Sequence, residues 1–165
     1  MSDLLAGSEW WFLERLHYEG ALLEVDIAEG IISAVSEDVL IDKGLPLKGA
    51  SPIEVTEKSK RIRVRFSHVL AYQITDESYC AAEQGQINQV GGRVLCQHAD
   101  SAYLEYVINN SLISDLVDDP VSHYSLNLAD DIRCYHHDQA VNRVGLTFDV
   151  LPVCIMGDRI KARLA

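Results

Sequence analysis

Between Arg61 and Ile108 the spacing of apolar and polar side chains predicts two strands and a helix. Ile62, Val64 and Phe66 alternate with Arg61, Arg63 and Arg65, a period of two that fits a strand with one buried face. The first strand is read from Arg61 to Ile74 and the second from Arg93 to His98. A helix then runs from Ser101 to about Asn109, with Leu104, Val107 and Ile108 as its apolar stripe, joined by Tyr103. Asp100 or Ser101 can cap it, because a short side-chain oxygen there accepts from free backbone N–H groups. Asn109-Asn110 is the stop, since Asn tolerates left-handed backbone angles.

The remaining pattern adds strands on both sides. Trp10 to Tyr18 and Ala21 to Ala28 read as an antiparallel hairpin across Glu19-Gly20, with Leu23, Val25 and Ile27 on one face. Trp10 and Trp11 then point to opposite faces. Ile31, Ile32, Val35, Val39 and Leu40 have near-helical spacing, so residues 29–52 read as a short helical or irregular crossing followed by a loop. Pro52 to Val55 is a further strand candidate, and residues 75–91 a connection. Ser111 to Pro120 reads as a surface loop or frayed turn. His123 to Leu128, Ile132 to His136 and Val144 to Leu151 alternate as strands, and Pro152 marks a strand end or sheet edge.

Together these elements predict an α+β fold in one domain, residues 1–165. It is a mainly antiparallel sheet of about six or seven strands, with one principal helix, at about 101–109, packed on a face. No repeat, low-complexity tract or long linker divides the chain.

Charge narrows the function. The net charge is −11, and residues 100–141 alone carry one basic and eight acidic side chains. Such a chain is repelled by nucleic acid and drawn to a basic protein surface, mainly through association rate. No apolar run approaches the roughly 18–20 residues that span a membrane. Met1-Ser2-Asp3-Leu4-Leu5 lacks a basic region followed by a long apolar block, so no signal peptide is expected and the location is read as cytoplasmic. Cys80, Cys96, Cys134 and Cys154 form no Cys-x-x-Cys pair and are read as buried thiols.

Candidate chemistry is sparse. His136-His137-Asp138, with His123, Cys134 and His98, offers ligand types that suit zinc, but adjacent strand histidines face opposite ways. A Cys/His nucleophile pair would use Cys80, Cys96 or Cys134. Ser67-His68 lies in no nucleophile-elbow sequence, and Gly91-Gly92 opens no helix. Arg61, Arg63 and Arg65 are either an anion-binding stripe or, the reading favoured here, an exposed strand face. Asp115, Asp118, Asp119, Asp130 and Asp131 are either a solvated loop region or a patch where carboxylates meet the Arg and Lys of a partner. Their spacing lacks a calcium-loop pattern.

Phe66-Ser67-His68-Val69-Leu70-Ala71-Tyr72, Asp76-Glu77-Ser78-Tyr79, Ser101-Ala102-Tyr103-Leu104-Glu105-Tyr106-Val107 and His123-Tyr124-Ser125-Leu126 carry a resemblance. Over about residues 62–143 the chain resembles small uncharacterised bacterial proteins of the toxin-immunity type. In those proteins an Asn and an apolar run often follow the His-Tyr strand, where this chain has Leu128-Ala129-Asp130-Asp131. The resemblance implies an interaction protein with no catalytic site. The expectation is therefore a cytoplasmic binding protein without cofactor or metal, an immunity-like inhibitor of a basic toxin, docking through the five aspartates. The alternatives are a metal-dependent hydrolase using His123, His136 and His137, and a homo-oligomer subunit, such as a homodimer, joined through a strand edge or Trp10 and Trp11.

Overall fold

The structure, a computed structural model, describes residues 3–41, 45–79, 86–129, 131–138 and 147–150. Among them the order is α1 (Asp3–Ala6), β1 (Trp11–Glu19), β2 (Leu22–Glu29), β3 (Ile31–Ile32), β4 (Glu37–Ile41), β5 (Leu45–Ala50), β6 (Ile53–Glu54) and β7 (Arg61–Phe66). There follow β8 (Val69–Asp76), β9 (Ile87–Gly91), β10 (Leu95–His98), α2 (Ala102–Asn109), α3 (Ile113–Leu116), β11 (Val121–Asn127), β12 (Asp131–Asp138) and β13 (Thr147–Val150). One antiparallel sheet has the order β1-β2-β7-β13, and a second the order β8-β12-β11-β10-β9. Two small ribbons, β3-β6 and β4-β5, complete the described strands.

The alternating pattern decides the faces as read. Leu23, Val25 and Ile27 on β2 stand opposite Phe66, Val64 and Ile62 on β7, and all six are buried. Val69, Leu95, Tyr124 and Leu126 of the second sheet join them in one core, where the Phe66 and Tyr124 rings lie 6.4 Å apart. Each fully buried aliphatic side chain there contributes about 1.5–3 kcal/mol. Trp11 closes the end of this core. Its indole N–H donates to the Leu5 carbonyl at 3.2 Å, and its own carbonyl accepts from the Ala129 N–H at 2.8 Å.

Two corners set the topology. Gly20 and Ala21 have φ of 55° and 65°, the paired positive angles of the tight turn that suits a twisted hairpin. His68, at φ 57°, bends the stretch read as one strand from Arg61 to Ile74. It is two strands, β7 in the first sheet and β8 in the second.

The α+β expectation is overturned. The described residues are mostly antiparallel β, with three short helices, of which only α2 is longer than four residues. α2 forms where expected and is capped as expected, with Ser101 Oγ accepting from the Leu104 N–H at 3.0 Å. Yet only Val107 of its residues is buried, so it is no principal packed helix. The physical reason is that the inner faces of the two sheets bury each other, leaving no apolar sheet face for a helix to cover. Residues 29–52 also depart from expectation, forming β3, β4 and β5 in place of a helical crossing. Their β-branched residues favour extended backbone, and Gly30 fixes the path. A Cβ on Gly30 would lie 2.6 Å from both Ile53 Cγ2 and Phe12 Cε2.

Candidate protein-binding surface

The stretch from Val94 to Ile132 contains no Lys or Arg. Within it α2 and α3 touch each other and carry an exposed apolar and acidic surface. The Asn110 backbone N–H and side-chain amide both donate to the Tyr106 carbonyl, at 3.1 and 2.7 Å, which ends α2 sharply. Ser111 Oγ then accepts from the Ile113 N–H at 3.3 Å as α3 begins. This turn leaves Tyr106, Leu112 and Leu116 at 63%, 66% and 77% exposure. Glu105, Asp115, Asp118 and Asp119 are exposed on the same segment. None of these carboxylates forms a salt bridge with a described residue. An open groove of about 520 Å³ adjoins them, lined by Asp100, Leu104, Glu105 and Ile108 among others.

Of the five aspartates singled out by sequence, four fall on described backbone, near two different ends of β11 and β12. Asp115, Asp118 and Asp119 lie just before β11, whose first residue, Val121, stands opposite Asp138. Asp131 starts β12 at the other end of that pairing, opposite Asp76. The seven residues of β11 separate the two ends by about 20 Å. Asp130 lies outside the described residues. The exposed Tyr106, Leu112 and Leu116 were missed by the sequence reading. The available signal was that Tyr106 falls off the apolar stripe of α2.

The arginines of β7 are spoken for. Arg63 donates to both Asp26 oxygens, at 2.6 and 2.8 Å, and Arg15 donates to the same carboxylate at 3.0 Å. Arg65 donates to Glu24 at 2.7 Å, Arg15 reaches Glu24 at 3.3 Å, and Arg61 pairs with Glu14 at 3.1 Å. The hydrogen bond from Arg65 is the main cause holding the Glu24 carboxyl below its usual range, helped by the charges of Arg63, Arg65 and Arg15. For Asp26 burial is the largest influence and pushes upward, but the hydrogen bonds and charges of Arg63 and Arg15 together prevail and lower it. The stripe is thus an internally paired belt across β1, β2 and β7, its arginines already held by Glu14, Glu24 and Asp26.

The histidines divide by strand parity. His98 stands opposite His123, and His123 opposite His136, across β10, β11 and β12. His137 is opposite Ser122, the next position along. The side chains of β12 lie outside the described ones. The His98 and His123 rings are buried and stacked, 4.3 Å apart and 17° from parallel. Parallel planes set ring nitrogens side by side instead of converging them on one point. Among the described residues no group of three or more His, Cys, Asp or Glu is arranged to hold a metal ion.

Cys96 is buried, and burial pushes its thiol up, against the opposing hydrogen bond from Asn127. A thiol held protonated is a poor nucleophile. Cys80 and Cys154 lie outside the described residues. Trp11 is buried and closed to any interface, whereas Trp10 is exposed. Among the described residues no helix is long and apolar enough to cross a membrane. No family model, curated protein or solved structure matches the chain.

Proposed function

We propose that this chain is a binding protein that docks a basic protein partner on the surface formed by α2 and α3. One observation carries the reading: three large apolar side chains stand exposed among four carboxylates, in a stretch without a single cation. Leaving apolar area in water is unfavourable, and exposed clusters of it ringed by charge mark interaction sites. Tyr106, Leu112 and Leu116 supply the centre of such a site. Asp115, Asp118 and Asp119 supply a rim that steers Lys and Arg into place by charge-assisted contacts. The belt on β1, β2 and β7, whose carboxylates are already paired with arginines, offers a basic partner no such attraction.

The resemblance to immunity-type proteins favours the finer reading, an inhibitor of a basic toxin acting in the cytoplasm without a cofactor. The test is a partner captured by cross-linking from the source cells and then reconstituted with purified protein. Changing Asp115, Asp118 and Asp119 together to Lys is expected to cut the association rate by about tenfold or more and to flatten its salt dependence. Leu116→Ser is expected to speed dissociation. A partner that binds both variants as it binds wild type, or one with an acidic docking face, would refute the reading.

A further inference from the structure

The groove beside the proposed docking surface follows one stripe of α2. Ser101, Leu104, Glu105 and Ile108 line it at the i, i+3, i+4 and i+7 spacing of a single helix face, and Ala99 and Asp100, leading out of β10, line it as well. Leu104 and Ile108 are half-buried, whereas Asp100 and Glu105 stand exposed. We infer that this groove binds an arginine side chain, its stem lying along Leu104 and Ile108 and its guanidinium held by the Asp100 and Glu105 carboxylates. That the arginine belongs to a docking partner rests on the reading above; the affinity of the groove for such a side chain does not.

The lining meets both needs of a long cationic side chain. Apolar surface on Leu104, Ile108 and Ala99 covers the methylene stem, while the charged head stays wet. The carboxylates of Asp100 and Glu105 supply the opposite charge, and neither forms a salt bridge with a described residue. From Ser101 to Ile108 the stripe rises about 10 Å along the helix, room for one extended long side chain. The lining is also held in place before anything binds. The Ala99 N–H donates to the Gln86 carbonyl at 3.0 Å, and Ser101 Oγ and the Ser101 carbonyl accept from the Leu104 and Glu105 N–H groups, both at 3.0 Å. A site that is already ordered loses less entropy on binding.

The positive end of α2 lies at the same place and opposes a cation with roughly half a unit charge. Two whole carboxylate charges outweigh it, and an anionic ligand would meet both of them. Arginine is favoured over lysine for two reasons. A guanidinium is more weakly hydrated than an ammonium, so it gives up less on entering a half-apolar groove. Its planar fork can also donate to two carboxylates at once. The groove is open to solvent, so each ion pair adds little and one arginine residue alone binds weakly.

NMR shift mapping on the full isotope-labelled chain tests this with three probes: N-acetyl-arginine amide, N-acetyl-lysine amide and N-acetyl-citrulline amide. Citrulline keeps the shape of arginine and lacks its charge. The arginine probe is expected to shift the 99–108 amides saturably, with a Kd at least about fivefold below that of the citrulline probe and about twofold below that of the lysine probe. Asp100→Asn and Glu105→Gln together should weaken arginine binding by about fivefold. Should that double variant disturb α2, the citrulline comparison on the wild-type protein still decides. Absence of a shift at 99–108 overturns the inference, as does citrulline or lysine binding as tightly as arginine. Shifts spread evenly over exposed carboxylates elsewhere, such as Asp38 and Glu57, overturn it too. Such a failure leaves the docking reading standing, because the Asp115, Asp118 and Asp119 variants test it at other carboxylates. Arginine binding here, with a partner indifferent to those three aspartates, would strike the docking reading alone.

Discussion

Asp26→Asn is the sharpest probe of the charged belt. The aspartate is almost fully covered and accepts three hydrogen bonds from two guanidiniums, at 2.6, 2.8 and 3.0 Å. Hydrogen bonds to charged groups each contribute about 1.5–3 kcal/mol. The Arg15 share is discounted because its side chain is half exposed, which leaves a contribution of at most about 1 kcal/mol. Asn keeps one acceptor but turns an N–H₂ donor toward a guanidinium that can only donate. The net expectation is a loss of about 2–3 kcal/mol at pH 7, or roughly 5–10 °C in Tm for a chain of this size. Urea unfolding followed by the fluorescence of buried Trp11 measures it, and the midpoint should move without a change in slope. The pH dependence adds a second check. The folded carboxyl is lowered, so the stability it contributes is present above the unfolded value of about 3.9 and disappears as pH falls through the folded one. Wild type and variant should therefore converge in acid. A difference under about 0.5 kcal/mol at neutral pH, or one that persists unchanged to pH 2, would refute the reasoning.

Other expectations follow from single contacts. Gly30→Ala forces a methyl into Ile53 and Phe12 and should destabilise by about 1–3 kcal/mol in chemical denaturation. Ala21→Gly relieves a left-handed alanine in the β1–β2 turn and should stabilise by about 0.5–1 kcal/mol after the entropy of the freer unfolded chain is counted. Ser101→Ala removes the cap of α2 and should weaken that helix by about 1 kcal/mol, seen as faster amide exchange at 102–109 with the strands unaffected. Cys96 should react with a thiol reagent far more slowly in the folded protein than in urea, as peptide mapping by mass spectrometry will show.

Alternation in the sequence was a reliable guide wherever one strand face meets the core. It placed Leu23, Val25, Ile27, Ile62, Val64 and Phe66 correctly, because a period of two has only two registers and one buries the apolar set. It failed between residues 29 and 52, where short two-stranded ribbons bury little and the apolar spacing carries no strand signal. It also ran past Ser67-His68, since nothing in a periodic pattern marks a positive φ at a histidine. The helix and its cap were legible; its small share of the core was not, because burial depends on how the two sheets close. The acidic residues were legible as charge, but their division between the two ends of β11 and β12 depends on register. The pairing of Arg63 with Asp26 joins positions 37 apart in the chain, beyond any local pattern.

The bend at His68 has a mechanical consequence. One uninterrupted run of chain leaves the first sheet as β7 and enters the second as β8, and the Val69 N–H is held by the Ala21 carbonyl just at the crossing. Peeling either layer away drags the other through the shared ribbon. The two layers should therefore melt in a single step, and fragments cut at the corner should recover their shape only when mixed.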